Sequence, residues 1–366
     1  MATREPMATT AGPGDPASGT ATALSVAAAN GGQGGRTPVR PQPPLEKSVA
    51  GMLARYVYDL VKPWRIDARR KTRQSMVMPR LLPHTRVGGS VWAVSVVRNE
   101  VDIIDRVVRH MLDQGVDGVL VADNGSRDGT LAALRALERA ERRVHVALDP
   151  REGHYQAARI GQLSRAAQRA GADWIVPFDA DEFWFAPGTT LAAWLRACRC
   201  PVVGAELHNV FPQRDDVPSD VGGFPTRLDL TPARMTKVAF RAHRLAHTCH
   251  GNHAVSRSGK TSLGLYIAHV PWRTPQQFTR KVREGASAVI RTRASKSQSY
   301  HWKALSQLSD DRLRASWEDL LDGRPIKRSC WTPVGPFRTV DVLAWETWDA
   351  KGSLPRQAAS ALSGAA

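Results

Sequence analysis

Acid, cysteine and long apolar runs are all scarce in this chain, and each shortage removes a class of function. Of 366 residues, 34 are Asp or Glu against 51 Lys or Arg, a net charge of +17. The four Cys, at 198, 200, 249 and 330, are too few for a disulfide scaffold, so a reducing cytoplasm is the simpler assumption. Cys-x2-Cys spacing is absent, which argues against the common zinc modules. No apolar run approaches the roughly 20 residues needed to span a bilayer. No basic stretch followed by an apolar core opens the chain, so a secretory leader is not expected. Neither Gly-x-Gly-x-x-Gly after the first strand nor Gly-x4-Gly-Lys-Ser/Thr occurs, which disfavours dinucleotide oxidoreductases and P-loop enzymes.

What is present begins with Asp179-Ala180-Asp181-Glu182, which ends the apolar run Trp174–Phe178 and precedes Phe183-Trp184-Phe185. A buried strand firing into clustered carboxylates delivers acids to the C-terminal edge of a sheet, where open α/β folds place ligands. Three acids in four positions repel one another near a core unless a cation or donor hydrogens balance them. A hard divalent metal shared with phosphates is the natural cation, and an acidic loop leading to a helix at Pro187–Thr190 is the competing reading. Two similar units precede it. Val91–Val97 runs into Arg98-Asn99-Glu100, and Gly118–Ala122 into Asp123-Asn124-Gly125-Ser126-Arg127-Asp128-Gly129-Thr130. Apolar stripes at helical spacing follow each, namely Ile103, Ile104, Val107, Val108, Met111 and then Leu131, Leu134, Leu137. A third strand, 144–148, and a helix near 155–169 complete a β-α-β-α-β-α-β alternation, which predicts a mostly parallel doubly wound sheet. Asn99, Glu100, Asp123, Asn124, Asp179 and Asp181 then converge on one crevice.

Val-Arg-Asn-Glu, Asp-Asn-Gly-Ser-x-Asp-Gly-Thr and Asp-Ala-Asp-Glu-Phe, in that order, resemble the nucleotide-sugar-binding half of a family 2 glycosyltransferase with the GT-A fold. The bacterial subgroup with the Asp-Ala-Asp-Glu-Phe signature is the most similar, and the resemblance covers about residues 91–290. It implies a Rossmann-like α/β sheet with a C-terminal acceptor-side helical extension, and inverting sugar transfer from a nucleotide-diphosphate donor. It further implies Asp123 on the nucleobase, Asp179 near the ribose and, with Asp181, at the Mn2+ or Mg2+, and Asn99 and Glu100 beside the nucleoside. Lys237, His253, His269 and Arg273 match a Lys, a Gly/Asn-x-His turn and a His-x-x-x-Arg run of related enzymes. By that match Lys237 and Arg273 face the donor, and His253 is the first choice as a metal or phosphate contact.

Charge is uneven along the chain. Residues 91–230 carry 16 basic and 20 acidic groups, whereas 231–303 carry 14 basic and one acidic. Such a segment closes on a diphosphate, binds an anionic acceptor or lies against anionic lipid, with a solvated basic face as the bland alternative. Nucleic acid is not expected, because no recognised module accompanies the charge. Four His lie in eleven positions, at 243, 247, 250 and 253; the first two read as ordinary satisfied or exposed histidines. Lys281 and Arg283 on a helix from Pro275 are open between facing phosphate and facing water. The general base that inversion requires is sought in Asp216 and Asp215, with Glu206 behind them.

Residues 1–45, rich in Ala, Gly, Pro, Thr and Ser, are expected to be disordered. A basic amphipathic helical segment follows at 46–90, then a catalytic domain at 91–303 and a helical extension and tail at 304–366. The stripe Val49, Met52, Leu53, Tyr56, Val57, Leu60, Val61 leads into Lys62, Arg65, Arg69, Arg70, Lys71 and Arg73, which suits either an anionic membrane surface or packing on the catalytic domain. The expected setting is cytoplasmic, with peripheral contact at the inner face of the membrane. A nucleotidyltransferase on a related fold and a basic nucleic-acid or membrane-binding protein with structural acids are the alternatives.

Overall fold

The computed structural model describes residues 48–61, 63–81, 88–151, 153, 155–214, 226–291, 304–327 and 329–350. All belong to the second of two units, 39–366; the first, 1–38, and the rest of the segment expected to be disordered lie outside the described residues. The described chain opens with α1 (Val49–Val61) and α2 (Pro63–Ser75). Pro63 starts α2 where a missing N–H costs nothing. Just beyond α2, Val77 exchanges two backbone hydrogen bonds with Leu148, tying the segment to the main sheet.

Four parallel strands form the centre: β1 (Val91–Val97), β2 (Gly118–Asp123), β3 (Val144–Leu148) and β4 (Trp174–Pro177), in the spatial order β4-β1-β2-β3. Between them run α3 (Ile104–Asp113), α4 (Thr130–Ala140) and α5 (Gln156–Arg169). Alternation along the strands sorts the core. Val91, Ala93 and Val97 share a cluster with Ile104, Val107 and Met111 of α3 and Leu134 and Leu137 of α4. Trp92 and Val94 share another with Ile160, Leu163 and Ala167 of α5. The sheet is therefore covered on both faces, the doubly wound arrangement that the sequence alternation predicts.

Beyond β5 (Glu182–Phe185), α6 (Leu191–Ala197) begins at Thr190, whose hydroxyl accepts the Ala193 N–H at 3.4 Å. The sheet then continues through β6 (Val202–Pro212), β7 (Thr226–Asp229), β8 (Lys237–Arg241) and β9 (Thr261–His269). Antiparallel β8 lies between β4 and β6, while β9 runs parallel to β6 and antiparallel to β5. The β4–β8 ladder comprises Trp174↔Arg241 and Ile175↔Phe240 only. Two residues further on, Pro177 has no N–H to offer. Finally come α7 (Pro275–Arg291) and α8 (Asp310–Leu321). Phe278 and Val282 of α7 pack with Phe211, Trp272, Leu313, Trp317 and Leu320 in a third apolar cluster. That fixes the buried side of α7 and turns Lys281 and Glu284 toward the C-terminal ends of the parallel strands.

Candidate active site

The strand ends meet as the alternation requires. Asn99 and Glu100 follow β1, Asp123 ends β2, and Asp179 and Asp181 lie between β4 and β5. Beside them opens a cavity of about 380 Å3, whose lining includes Arg98, Asn124, Gln156, Arg159, Lys281 and Glu284.

The acids are held by a few shared cations, Asp123 excepted. Asp181 is 4% exposed; its Oδ2 lies 2.5 Å from Lys281 Nζ and 3.6 Å from His269 Nε2. Burial alone would raise the Asp181 pKa, but the positive field of Lys281, foremost among its neighbours, overcomes it and holds the carboxyl well below its ordinary range. Asp179 accepts from Lys237 Nζ at 2.6 Å and from Gln156 Nε2 at 3.0 Å. The same lysine lies 2.8 Å from Glu182, which is fully buried. Burial works against the Lys237 charge, yet Asp179 and Glu182 raise its pKa above the usual lysine value. Asp123 is 3% exposed: Oδ2 accepts the Ser126 N–H at 3.1 Å, and buried Oδ1 has no hydrogen-bond partner.

Asn99 has φ 55°, a left-handed conformation uncommon outside glycine. It is held there from two sides. Its Oδ1 accepts the Arg127 N–H at 2.8 Å, and its amide donates to both oxygens of Glu284 at 3.0 and 2.8 Å. Glu100 pairs with Arg273 and lies 3.3 Å from Lys281. Arg273, 6% exposed, also bonds Asp102 at 2.7 Å. Its guanidinium is thus committed to the loop after β1, a different setting from the phosphate contact that sequence implies for it.

The histidines separate. His269 Nδ1 lies 2.8 Å from Asn209 Oδ1, so the tautomer that donates this bond turns the Nε2 lone pair toward Asp181. His253 sits on the other side of the site, its Nδ1 2.9 Å from the Thr236 carbonyl. Burial, then Lys237, depress its pKa to about 4, so the ring is neutral. Its position depends on Gly251, which has φ 73° and where a Cβ would come within 2.6 Å of the His253 Nε2. His243 and His247 bond within their own loop, to the Leu245 N–H and near the Leu245 carbonyl.

Other expected residues fall elsewhere. Asp215 and Asp216 lie outside the described residues. Glu206 is paired in register with Tyr266, three residues before the Asn209↔His269 pair, roughly 10 Å along the strand from that end. Arg283 borders the cavity, but its guanidinium is taken up by the Ser306 and Leu308 carbonyls and Asp310. Two residues at the site had no place in the sequence argument. Gln156 links Asp179 to the Gly251 N–H, which its Oε1 accepts at 3.0 Å. Arg159, 2% exposed, bonds Asp149 at 2.5 Å and lines the cavity. An arginine within the apolar stripe of a helix is the signal that could have found it.

Among the described residues no three His, Cys, Asp or Glu side chains gather into a metal set. A magnesium-type ion does not need one, since it takes one or two carboxylates and completes its shell with phosphate oxygens and water. The ionised Asp181 beside the inward lone pair of His269 suits such an ion, which would have to share the carboxylate with Lys281.

No curated protein matches the sequence. Among solved structures, the chain is similar to the mannosyltransferase PcManGT from Pyrobaculum calidifontis in complex with GDP-Man and Mn2+, at 15% identity over 75% of this chain and 84% of that one, with a TM-score of 0.32. It is similar to S. aureus TarS 1–349 in complex with UDP, at 13% identity over 59% and 70%, TM-score 0.32. A nucleotidyl transferase from Methanothermobacter aligns at 16% over 43% and 74%, TM-score 0.23. These likenesses are too distant to carry a substrate or a mechanism. Residues 92–202, which supply Asn99, Glu100, Asp123, Asp179 and Asp181 to the site, match the family described as glycosyl transferase family 2.

Proposed function

We propose that the protein is a glycosyltransferase that takes a sugar from a nucleotide-diphosphate donor, with a divalent metal and with inversion. The observation that carries this reading is the buried Asp123 Oδ1, an acceptor without a donor at the end of β2, next to a cavity walled by lysine and arginine. A buried acceptor left empty costs about 1–3 kcal/mol, so a ligand N–H is the natural complement, and a nucleobase supplies one.

In this reading Asp179 is near the ribose. Asp181, with His269 beside it, holds the metal, and Mn2+ or Mg2+ bound there would neutralise charge on the diphosphate. Lys281 and Lys237 are poised to do the same from the protein side. As the bond from the anomeric carbon to the diphosphate oxygen breaks, its electron pair goes to the phosphate, and the two ammonium groups oppose the charge that grows there. The acceptor hydroxyl attacks the opposite face of the sugar and gives its proton to a carboxylate; Asp216 and Asp215 are the proposed bases. Gln156 and Glu284 position Asp179 and Asn99 through their hydrogen bonds.

The test is a screen of nucleotide sugars for release of nucleoside diphosphate, with and without Mn2+, alongside thermal melting. A bound donor at a hundred times its dissociation constant adds about 2.7 kcal/mol to stability. Asp181→Asn should keep the fold and lose on the order of 10²-fold or more in metal-dependent turnover. Wild-type turnover in that variant sinks the metal assignment, and pyrophosphate release from nucleoside triphosphates would favour a nucleotidyltransferase instead.

A further inference from the structure

Among the described side chains of α1, those facing water are apolar. Val49 is 68% exposed, Leu53 51%, Val57 49% and Val61 63%, while Met52, on the opposite flank, is buried. These four recur every fourth residue, and Ala50 and Ala54, also exposed, fall in the same arc. A helix that merely packed on its domain would turn this stripe inward; here the stripe is outside, and the helix runs about 20 Å. Contiguous exposed apolar surface of this kind marks an interaction site.

The next helix supplies the chemistry of the partner. On α2, Ile66 is 46% exposed and shares one face with exposed Arg70 and Arg73, at i, i+4 and i+7. Inward, Thr72 and, just past the helix, Met76 are buried. The helix as a whole carries five basic residues, Arg65, Arg69, Arg70, Lys71 and Arg73, against Asp67 alone. Apolar surface followed immediately by cationic surface, with no acid beyond Asp67 on α2, is the complement of an anionic bilayer. The chain's own N-terminal segment is a poor cover, because residues 1–45 contain no aromatic residue and no Ile.

We infer that α1 and α2 form a docking face for an anionic lipid surface, α1 entering the headgroup boundary with Val49, Leu53, Val57 and Val61 while Arg70 and Arg73 meet lipid phosphate. No helix of the described residues is long and apolar enough to cross a membrane, so the attachment is interfacial and reversible. Docking there does not depend on the proposed activity.

Flotation of the full chain with vesicles of phosphatidylcholine, and of equimolar phosphatidylcholine and phosphatidylglycerol, tests this. Wild type should float with the anionic vesicles only, and less at high salt. Leu53→Glu with Val57→Glu, and separately Arg70→Glu with Arg73→Glu, should each lower the bound fraction by about tenfold or more. Both pairs are exposed, so melting temperature should stay at the wild-type value and certify the fold. Failure of wild type to float, or flotation of both variants like wild type, overturns the inference. So does a concentration-dependent dimer, seen in sedimentation, that Leu53→Glu dissociates while no form floats; a second copy would then be the occupant.

Discussion

Residues 91–185 and residues 202–291 meet at one crevice and bring opposite chemistry to it. The first stretch is parallel, wound with helices on both faces, and its strand ends supply Glu100, Asp123, Asp179 and Asp181. The second contributes Lys237 from the start of β8, His269 from the end of β9, and Arg273 and Lys281 from and before α7. Six ion pairs at the site cross between the two, Lys237 with Asp179 and Glu182, Lys281 with Asp181 and Glu100, Arg273 with Glu100 and Asp102, while Arg159 with Asp149 stays within the first. Part of a surplus of base that looks like a solvated face in sequence, Lys237, Arg273 and Lys281 above all, is a set of counter-charges for acids far away in the chain. Neither set is tolerable buried by itself, so docking of the halves and assembly of the site are one event.

The largest effect that would sharpen this contrast is on stability. Lys237→Ala leaves Glu182, fully buried, without its cation, and should cost about 3–5 kcal/mol in urea unfolding. A loss below about 1 kcal/mol would mean that the halves are held by packing and that the crossing charges are incidental.

Next come two histidines, one in each half, that burial keeps neutral. His110 is 8% exposed, its Nε2 2.8 Å from the Trp184 carbonyl, and burial lowers its pKa from 6.5 to about 4, the same level as His253. A base with a depressed folded pKa takes its proton more readily when unfolded. Its neutral form therefore supports the fold fully above pH 6.5, and that support fades as the pH falls toward 4, by about 3 kcal/mol for His110. In His110→Gln the melting temperature should fall less between pH 6.5 and 4.5 than in wild type; identical slopes would remove His110 from the account.

A smaller effect belongs to donor recognition in the parallel half. Asp123→Asn keeps an acceptor for the Ser126 N–H but presents an amide to the nucleobase. It should raise the donor's Michaelis constant about tenfold with little change in turnover, since that contact is alike in ground and transition states. Equal donor affinity by calorimetry would return Asp123 to the role of a turn residue. The smallest effect is expected at Glu206. Set back along β6 and 3.9 Å from His208, it should tolerate Gln with turnover unchanged and stability within about 0.5 kcal/mol. A large loss of turnover would place the acceptor side further along the strand.

The two halves also differ in how far their sequence can be interpreted. Strand alternation and helical stripes declare β1 to β4 with α3 to α5, because each element there is local and amphipathic and the connections repeat. The Asp-x-Asp reaches the sheet edge for the same reason. In the second half the informative contacts are long-range: Arg273 finds Asp102 across 171 positions and Asn99 finds Glu284 across 185. Composition cannot tell Lys281, which faces Asp181, from Arg283, which bonds carbonyls near α8; only the apolar positions Phe278 and Val282 decide which side of α7 turns inward. Sequence makes His253 the first choice beside the metal, yet His269 is the histidine next to Asp181, and the Asn209 side chain on β6, invisible as a partner in sequence, orients it. Gln156 carried no signal at all.

Pro177 gives the molecule a division of labour between scaffold and chemistry. The β4–β8 ladder ends at Ile175, and the proline two residues on cannot extend it. Beyond it the two strands are joined by charge, Lys237 with Asp179 and Glu182, rather than by main-chain hydrogen bonds. Up to Ile175 the strands stand on backbone bonds, whereas the stretch beyond depends on the side chains at 179, 182 and 237, which cannot be exchanged without loosening it.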